Sequence, residues 1–486
     1  MELLTKRISN PIERPIKVVQ FGEGNFLRAF VDYMIDVANE KDLFDGSIVI
    51  LKPIEFGSLE QFHKQECQYT LTLRGIQEGR EVVTNRIISS VRDAVSVYED
   101  YDKFIQLAKI ETLRFVVSNT TEAGITYDSR DNFAAKPPKT YPAKLTKFLF
   151  ERYQSFFGVL DKGLIILPVE LIDDNGSALK ACVLKYTELW NLENGFITWL
   201  VEACIFCNTL VDRIVTGYPK EEAEELCQQF GYRDDLLVTA EPFGLWVIES
   251  EKDISAELPL ERCGLPVIFT NNQKPYKQRK VRILNGAHTS FVLASYLSGN
   301  ESVLESMQDD TVRTFMTATI YEEVIPTLTL SKEELIDFAN SVIERFENPF
   351  IKHALLSISL NSVSKWKARC LPSLINFIEL YGELPKHLVF SIAALMSFYS
   401  GTELKEDCLI GMRDGEPYCI KDDREVLEFF ASACNRKVEQ FVQAYLSNES
   451  FHGQDLTALP GLSERVTEYL GWIRDNGMRK ALEMLG

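Results

Sequence analysis

Short apolar runs, each four to six residues long and separated by helix-like stretches, mark the first half of the chain: residues 17–21, 47–51, 69–74, 114–118, 163–167 and 267–270. Runs of that length read as buried strands, and their alternation with helical periodicity implies a parallel sheet with crossover helices. A ligand is then expected beyond the carboxyl ends of the strands, where the strand order reverses. Residues 69–75 and 81–91 read instead as a hairpin closed by a turn over 75–79. From about Gln278 the pattern changes to long amphipathic segments. Ser331-Lys-Glu-Glu334 is a capping box opening a helix that carries Leu335, Phe338, Val342 and Phe346 on one face. Residues 425–446 and 464–485 read likewise, with Gly471 and Gly477 as interruptions in the last. The predicted fold class is α/β, a parallel-sheet domain over residues 1–277 followed by a mostly α-helical domain over 278–486.

The first strand runs directly into Gly22-Glu-Gly24, and a helical pattern continues from there through Met34 and Val37. Strand, glycine turn and helix in that order form a phosphate cradle, which makes the N-terminal domain Rossmann-like. Gly22 permits the tight turn and Gly24 lets the backbone approach a pyrophosphate, while Leu27 stands where the third glycine of the usual fingerprint would be. The candidate cofactor-binding segment is Val18-Val19-Gln20-Phe21-Gly22-Glu23-Gly24-Asn25-Phe26-Leu27-Arg28-Ala29, with Arg28 either a further phosphate ligand or simply solvated. Ser118 closes another strand, and Asn119, Thr120, Thr121 and Glu122 after it can line the nicotinamide half of a dinucleotide or form an ordinary turn. After 47–51 an acidic residue is expected for the ribose, yet Lys52 stands there, and its charge favours a 2′-phosphate.

In the segment 280–288, Lys280, Asn285 and His288 lie at offsets of five and three. If the segment is α-helical, about 100° per residue spreads the three over an arc of roughly 140°, so all can face one cleft. A lysine can serve acid-base chemistry when burial or neighbouring cations lower its pKa, and Lys277, Arg279 and Arg282 are such neighbours. The Asn285 amide can donate to a developing alkoxide, and His288 can orient a hydroxyl. The competing reading is a basic first turn on an ordinary helix with His288 a satisfied interior histidine.

Seven blocks spread over most of the chain resemble one family, the long-chain polyol and hexuronate dehydrogenases typified by mannitol 2-dehydrogenase. They are Gln20-Phe-Gly-Glu-Gly-Asn-Phe-Leu-Arg-Ala29, Ser118-Asn-Thr-Thr-Glu-Ala-Gly-Ile125, Tyr141-Pro-Ala-Lys-Leu-Thr146, Leu167-Pro-Val-Glu-Leu-Ile-Asp-Asp-Asn-Gly176, Asn208-Thr-Leu-Val-Asp-Arg-Ile214, Glu241-Pro-Phe-Gly-Leu-Trp-Val-Ile-Glu249 and the Lys280 segment. The resemblance implies a general acid/base at Lys280, an oxyanion donor at Asn285 and substrate positioning by His288. It also implies that Val211 and Asp212 contact substrate; an ion pair of Asp212 with Arg213 is the other reading. The family's second oxyanion asparagine falls on Leu171, a glutamate falls on Lys277, and a substrate-contacting arginine falls on Lys365. These departures suit a substrate with a carboxylate; for Lys277, Lys365, Lys367 and Arg369 a solvated basic face is the alternative. The implied activity is metal-independent, NADH-linked reduction of a keto-hexuronate, tagaturonate to altronate, with NADP left open by Lys52. Fructuronate reduction, a mannitol-type 2-dehydrogenase and a nucleotide-sensing protein on the same fold are the competing readings.

Composition narrows the partners. A net charge of -19 and a pI near 4.9 argue against nucleic acid and anionic membranes, since no basic stripe exists to release counterions. An anionic sugar acid is also repelled at long range, so a local cluster such as Lys277, Lys280 and Lys365 is needed to focus it. The 486 residues suggest two to four domains. Ten scattered cysteines, the only close pair being Cys204-Ile-Phe-Cys207 in an apolar helix-like run, read as reduced thiols. Five dispersed histidines without a His-Glu-x-x-His segment point away from zinc. No signal peptide or membrane span is visible, and the cytoplasm is expected; oligomeric state is open.

Overall fold

The structure, a computed structural model, describes residues 1–121 and 123–486. Six strands form one all-parallel sheet: β1 (Ile16–Phe21), β2 (Ser47–Lys52), β5 (Val91–Ser96), β6 (Phe115–Ser118), β7 (Ile165–Pro168) and β8 (Ile205–Phe206), ordered β5-β2-β1-β6-β7-β8. Renumbered within the sheet, that is the order 3-2-1-4-5-6 of a dinucleotide-binding domain, with the reversal between β1 and β6. Period-two alternation sends Val18, Ile48, Ile50, Phe115 and Val117 to one face and Val19, Phe21, Val49, Leu51 and Val116 to the other, and both faces are buried. The helix Val31–Glu40 covers the first face, and helices Tyr141–Ser155, Asn175–Leu189 and Asn194–Ala203 cover the second. Burial on both sides is why these strands read as continuous apolar runs.

Three details differ from the sequence reading. The hairpin is β3 (Tyr69–Gln77) and β4 (Arg80–Ile88), turning at Glu78 and Gly79, both at positive φ; it ends before Val91, which begins β5 of the parallel sheet. Residues 267–270 are a strand, β13 (Val267–Thr270), but in a separate three-stranded sheet with β9 (Asn208–Asp212) and β12 (Leu245–Glu249). Cys204 and Cys207 flank the edge strand β8 rather than lying in a helix, because the helix Asn194–Ala203 ends where the sheet needs its last strand. The hairpin pairs through β3 with β11 (Val238–Ala240), which pairs in turn with β10 (Val215–Gly217).

The chain divides into two units, Met1–Gly75 with Arg80–Gln273, and Ile76–Gly79 with Lys274–Gly486. The second is mostly helical. Its centre is the pair Gly286–Leu297 and Lys386–Phe398, both buried nearly all round. Ser331 caps the helix Lys332–Phe346, its hydroxyl accepting from the Glu334 N–H and donating to the Glu334 carboxylate, and Leu335, Phe338, Val342 and Phe346 are buried as expected. Residues 425–446 split into Arg424–Ala433 and Val438–Leu446, and 464–485 into Leu462–Asn476 and Met478–Leu485. Gly477, at φ 80°, makes the second break, while Gly471 continues its helix. A small antiparallel sheet over 403–420 was not expected. No helix among the described residues is long and apolar enough to cross a membrane.

Candidate active site

In the first unit the strand reversal places Gly22 beside Asn119. Gly22 donates to the Leu51 carbonyl at 2.9 Å and Asn119 to the Phe21 carbonyl at 3.0 Å, so the ends of β2, β1 and β6 are tied together. Gly22 sits at φ 125°, and a Cβ there would lie 2.9 Å from the Asn119 carbonyl oxygen, so only glycine fits without strain. At Gly24 an added Cβ would meet nothing within 4 Å, which leaves the approach that a pyrophosphate needs. On this evidence the turn fits a dinucleotide.

The neighbouring loop is braced by a residue the sequence reading passed over. Glu170, buried just beyond β7, accepts from the Ser118 hydroxyl at 3.1 Å and from the Thr120 N–H and hydroxyl at 3.0 and 2.9 Å; burial pushes its carboxyl pKa up. Thr121 follows at φ 74°, a conformation a β-branched residue adopts only when its surroundings enforce it. Glu122 lies outside the described residues.

The two cations expected near the cofactor are committed to the protein. Arg28 is buried, donates to the Leu236 carbonyl and the Asn25 side chain, and packs over Tyr69 and Phe62. It is neither solvated nor turned out as a phosphate ligand. Lys52 is 1% exposed, and its amine lies 3.0–3.3 Å from the carbonyls of Ile54, Glu55, Phe56 and Gly57.

Beneath the turn, Asp32 is fully buried and accepts the Tyr69 hydroxyl at 2.9 Å. Burial raises its pKa to about 7 against the opposing pull of Tyr69 and Arg28. Gln20, whose amide donates to the Gly22 carbonyl, lies against that carboxyl and favours its charged form, while Gln20 Oε1 and Asp32 Oδ1 are buried without a hydrogen-bond partner. A carboxyl raised in the fold stabilises it fully below the unfolded value near 4, and that stabilisation is lost as pH rises through about 7. Asp32→Asn should therefore flatten a decline of up to about 4 kcal/mol between those limits. Denaturant unfolding at pH 4.5, 6 and 8 checks this, and parallel pH profiles for both proteins would refute it.

In the second unit, the helix Lys274–Arg279 passes into a π-helical turn, Lys280–Asn285, before the helix Gly286–Leu297. This corrects the α-helical geometry assumed above. In a π turn the bonding runs between residues five apart, the spacing of Lys280 and Asn285, so the two lie one turn apart instead of splayed over an arc. Such bulges cost backbone energy and recur at functional sites. Both residues are half-buried.

His288, one turn on, stacks on Phe346 with ring centroids 4.3 Å apart and meets His353 edge-on at 5.3 Å. Its Nε2 is buried without a hydrogen-bond partner, so it is not the satisfied interior histidine of the competing reading. Burial holds its pKa well below the ordinary histidine value, and the charges of His353, Arg345, Arg369 and Lys365 lower it further. The ring is therefore neutral near pH 7. Lys365 donates to the Ile358 carbonyl at 3.0 Å and Arg369 to the Thr289 hydroxyl at 3.2 Å, and burial lowers the pKa of each. Thus Lys365 and Arg369 are not a solvated face. Arg345 and His353 join them, although nothing in their local sequence marked them out.

Val211 and Asp212 end strand β9 in the first unit, both buried, opposite Trp246 and Leu245. The Arg213 guanidinium donates to the Ala29, Pro242 and Phe243 carbonyls.

Residues 16–262 match the mannitol dehydrogenase Rossmann domain, and residues 272–473 the mannitol dehydrogenase C-terminal domain. The chain belongs to the mannitol dehydrogenase family. Among curated members, altronate oxidoreductase from Klebsiella pneumoniae (strain 342) is 46% identical over 492 residues, covering 100% of both chains. That from Yersinia enterocolitica is 44% identical over 489 residues and covers 99% of each. Two solved members of this family's fold are similar over their whole length. D-Sorbitol dehydrogenase in substrate-free form has a TM-score of 0.80 at 22% identity, covering 99% of this chain and 100% of that one. Pseudomonas fluorescens mannitol 2-dehydrogenase, a ternary complex with NAD and D-mannitol, has a TM-score of 0.68 at 23% identity, covering 100% of this chain and 99% of that one.

Proposed function

We propose that this member of the mannitol dehydrogenase family reduces a keto-hexuronate with NADH, tagaturonate to altronate, reversibly and without a metal. The observation that carries the reading is the neutral His288, beside His353 and within the field of Lys365, Arg369 and Arg345, in a chain of net charge -19. An acidic protein that gathers half-buried and buried cations near one imidazole favours an anion there, and a sugar carboxylate fits it. The 44–46% identity to altronate oxidoreductases over the whole chain supports the same substrate.

In this reading the 18–29 segment holds the dinucleotide through the backbone at Gly22 and Gly24, with Asn119, Thr120 and Thr121 at the nicotinamide end. The cofactor, when bound, supplies the hydride. Lys280 delivers the proton to the ketone oxygen, and the Asn285 amide donates to the alkoxide as its charge grows. The unmet Nε2 of His288 takes a neighbouring hydroxyl. Val211 and Asp212 contact the remaining hydroxyls, and Lys365 with Arg369 holds the carboxylate. Its ten free thiols support a reducing compartment, which in this reading is the cytoplasm. A panel of tagaturonate, fructuronate and fructose, followed by NADH consumption, should show kcat/KM highest for tagaturonate; turnover of fructose without either uronate would defeat the proposal.

A further inference from the structure

We propose that Lys52 sets cofactor choice indirectly: its amine ties residues 53–57 into a loop that accepts an unphosphorylated adenosine ribose, and it does not itself bind the ribose substituent. The inference rests on the dinucleotide reading above and deepens it.

Lys52 is the last residue of β2, the position from which a dinucleotide-binding sheet reads the ribose. A free lysine there would attract a 2′-phosphate. This one is not free. An ammonium has three N–H donors, and four carbonyls, those of Ile54, Glu55, Phe56 and Gly57, stand within 3.0–3.3 Å of it. Turning the amine outward would strip a tight loop of the one charge that its converging carbonyl dipoles face, and the loop would open.

The local field points the same way. Glu99 approaches the Lys52 amine at 4.0 Å, and Glu23 in the glycine turn feels the Lys52 charge. One enclosed ammonium thus acts on two carboxylates, and Arg28, whose charge also reaches Glu23, is spent on Leu236 and Asn25. A 2′-phosphate, bringing about −1.5 to −2 further charges, would add to these two carboxylates, with Lys52 and Arg28 already committed. A ribose hydroxyl adds none.

Calorimetric titration of the full chain with 5′-AMP, adenosine 2′,5′-bisphosphate, NADH and NADPH, without any sugar acid, tests this for the wild type, Lys52→Met and Lys52→Arg. The wild type should bind 5′-AMP at least tenfold tighter than the bisphosphate. Both variants should lose about tenfold in NADH affinity, because a guanidinium cannot occupy the same ring of carbonyls, and both should be cleaved faster by protease within 53–57. A direct phosphate ligand would behave differently: the bisphosphate would bind tighter than 5′-AMP, Lys52→Met would abolish that preference, and Lys52→Arg would keep it. That outcome overturns the proposal, as does NADH affinity unchanged in both variants. Should Lys52→Met fail to fold, the wild-type preference and Lys52→Arg still decide. A wild type that binds no adenine nucleotide overturns the dinucleotide reading along with this one.

Discussion

Lys280→Ala should lower kcat for keto-hexuronate reduction by about 10² or more at neutral pH while leaving NADH affinity within about twofold of wild type. The size follows from what a positioned proton donor contributes, and the selectivity follows from where the residue sits. Lys280 opens the π turn of the second unit, whereas the glycine turn belongs to the first. The substitution leaves Gly22 and Gly24 themselves unchanged. A small amine added to the medium should restore part of the rate, since it replaces the missing donor and nothing else. Steady-state turnover and NADH fluorescence titration on the same preparation measure both quantities. Turnover equal to wild type would remove Lys280 from the chemistry, and a parallel loss of NADH affinity would mean that the π turn had collapsed.

Lys365→Met combined with Arg369→Met should reduce kcat/KM for the hexuronate by about 10² or more and change kcat/KM for an uncharged ketose by only a few fold. A charge-assisted hydrogen bond contributes about 1.5–3 kcal/mol, so losing a carboxylate's partners costs one to two factors of ten each. The control is internal, because fructose has no carboxylate to lose. Both cations also hold the His288 pKa down, so their removal should let the imidazole gain a proton at higher pH than in the wild type. The acid limb of the pH profile should move accordingly. Equal losses for the charged and the uncharged substrate would assign Lys365 and Arg369 to packing, through the Ile358 carbonyl and the Thr289 hydroxyl that they already bond.

The sequence by itself determined the parallel sheet and the glycine turn, and it singled out Lys280, Asn285 and His288 as candidates. Strands buried on both faces are apolar along their run, as at 48–51, and a turn at φ 125° must be glycine, as at Gly22. These demands are local, so they leave local marks. Folding decided what depends on partners distant in the chain. The helices Gly286–Leu297 and Lys386–Phe398 are buried nearly all round, so they lack the one-sided periodicity by which amphipathic helices are recognised. The π turn at Lys280–Asn285 has no residue signature, because its extra residue is absorbed by a shift in hydrogen-bond register that the surrounding packing must hold. Long cationic side chains were the least legible. The amine of Lys52 and the guanidinium of Arg28 reach several ångströms from their backbones, and both found carbonyls where charge alone pointed to phosphate. Lys365 and Arg369 turned to the Ile358 carbonyl and the Thr289 hydroxyl, from where their charge reaches His288. Where a flexible charge ends up is decided by which acceptors the finished fold brings within its reach.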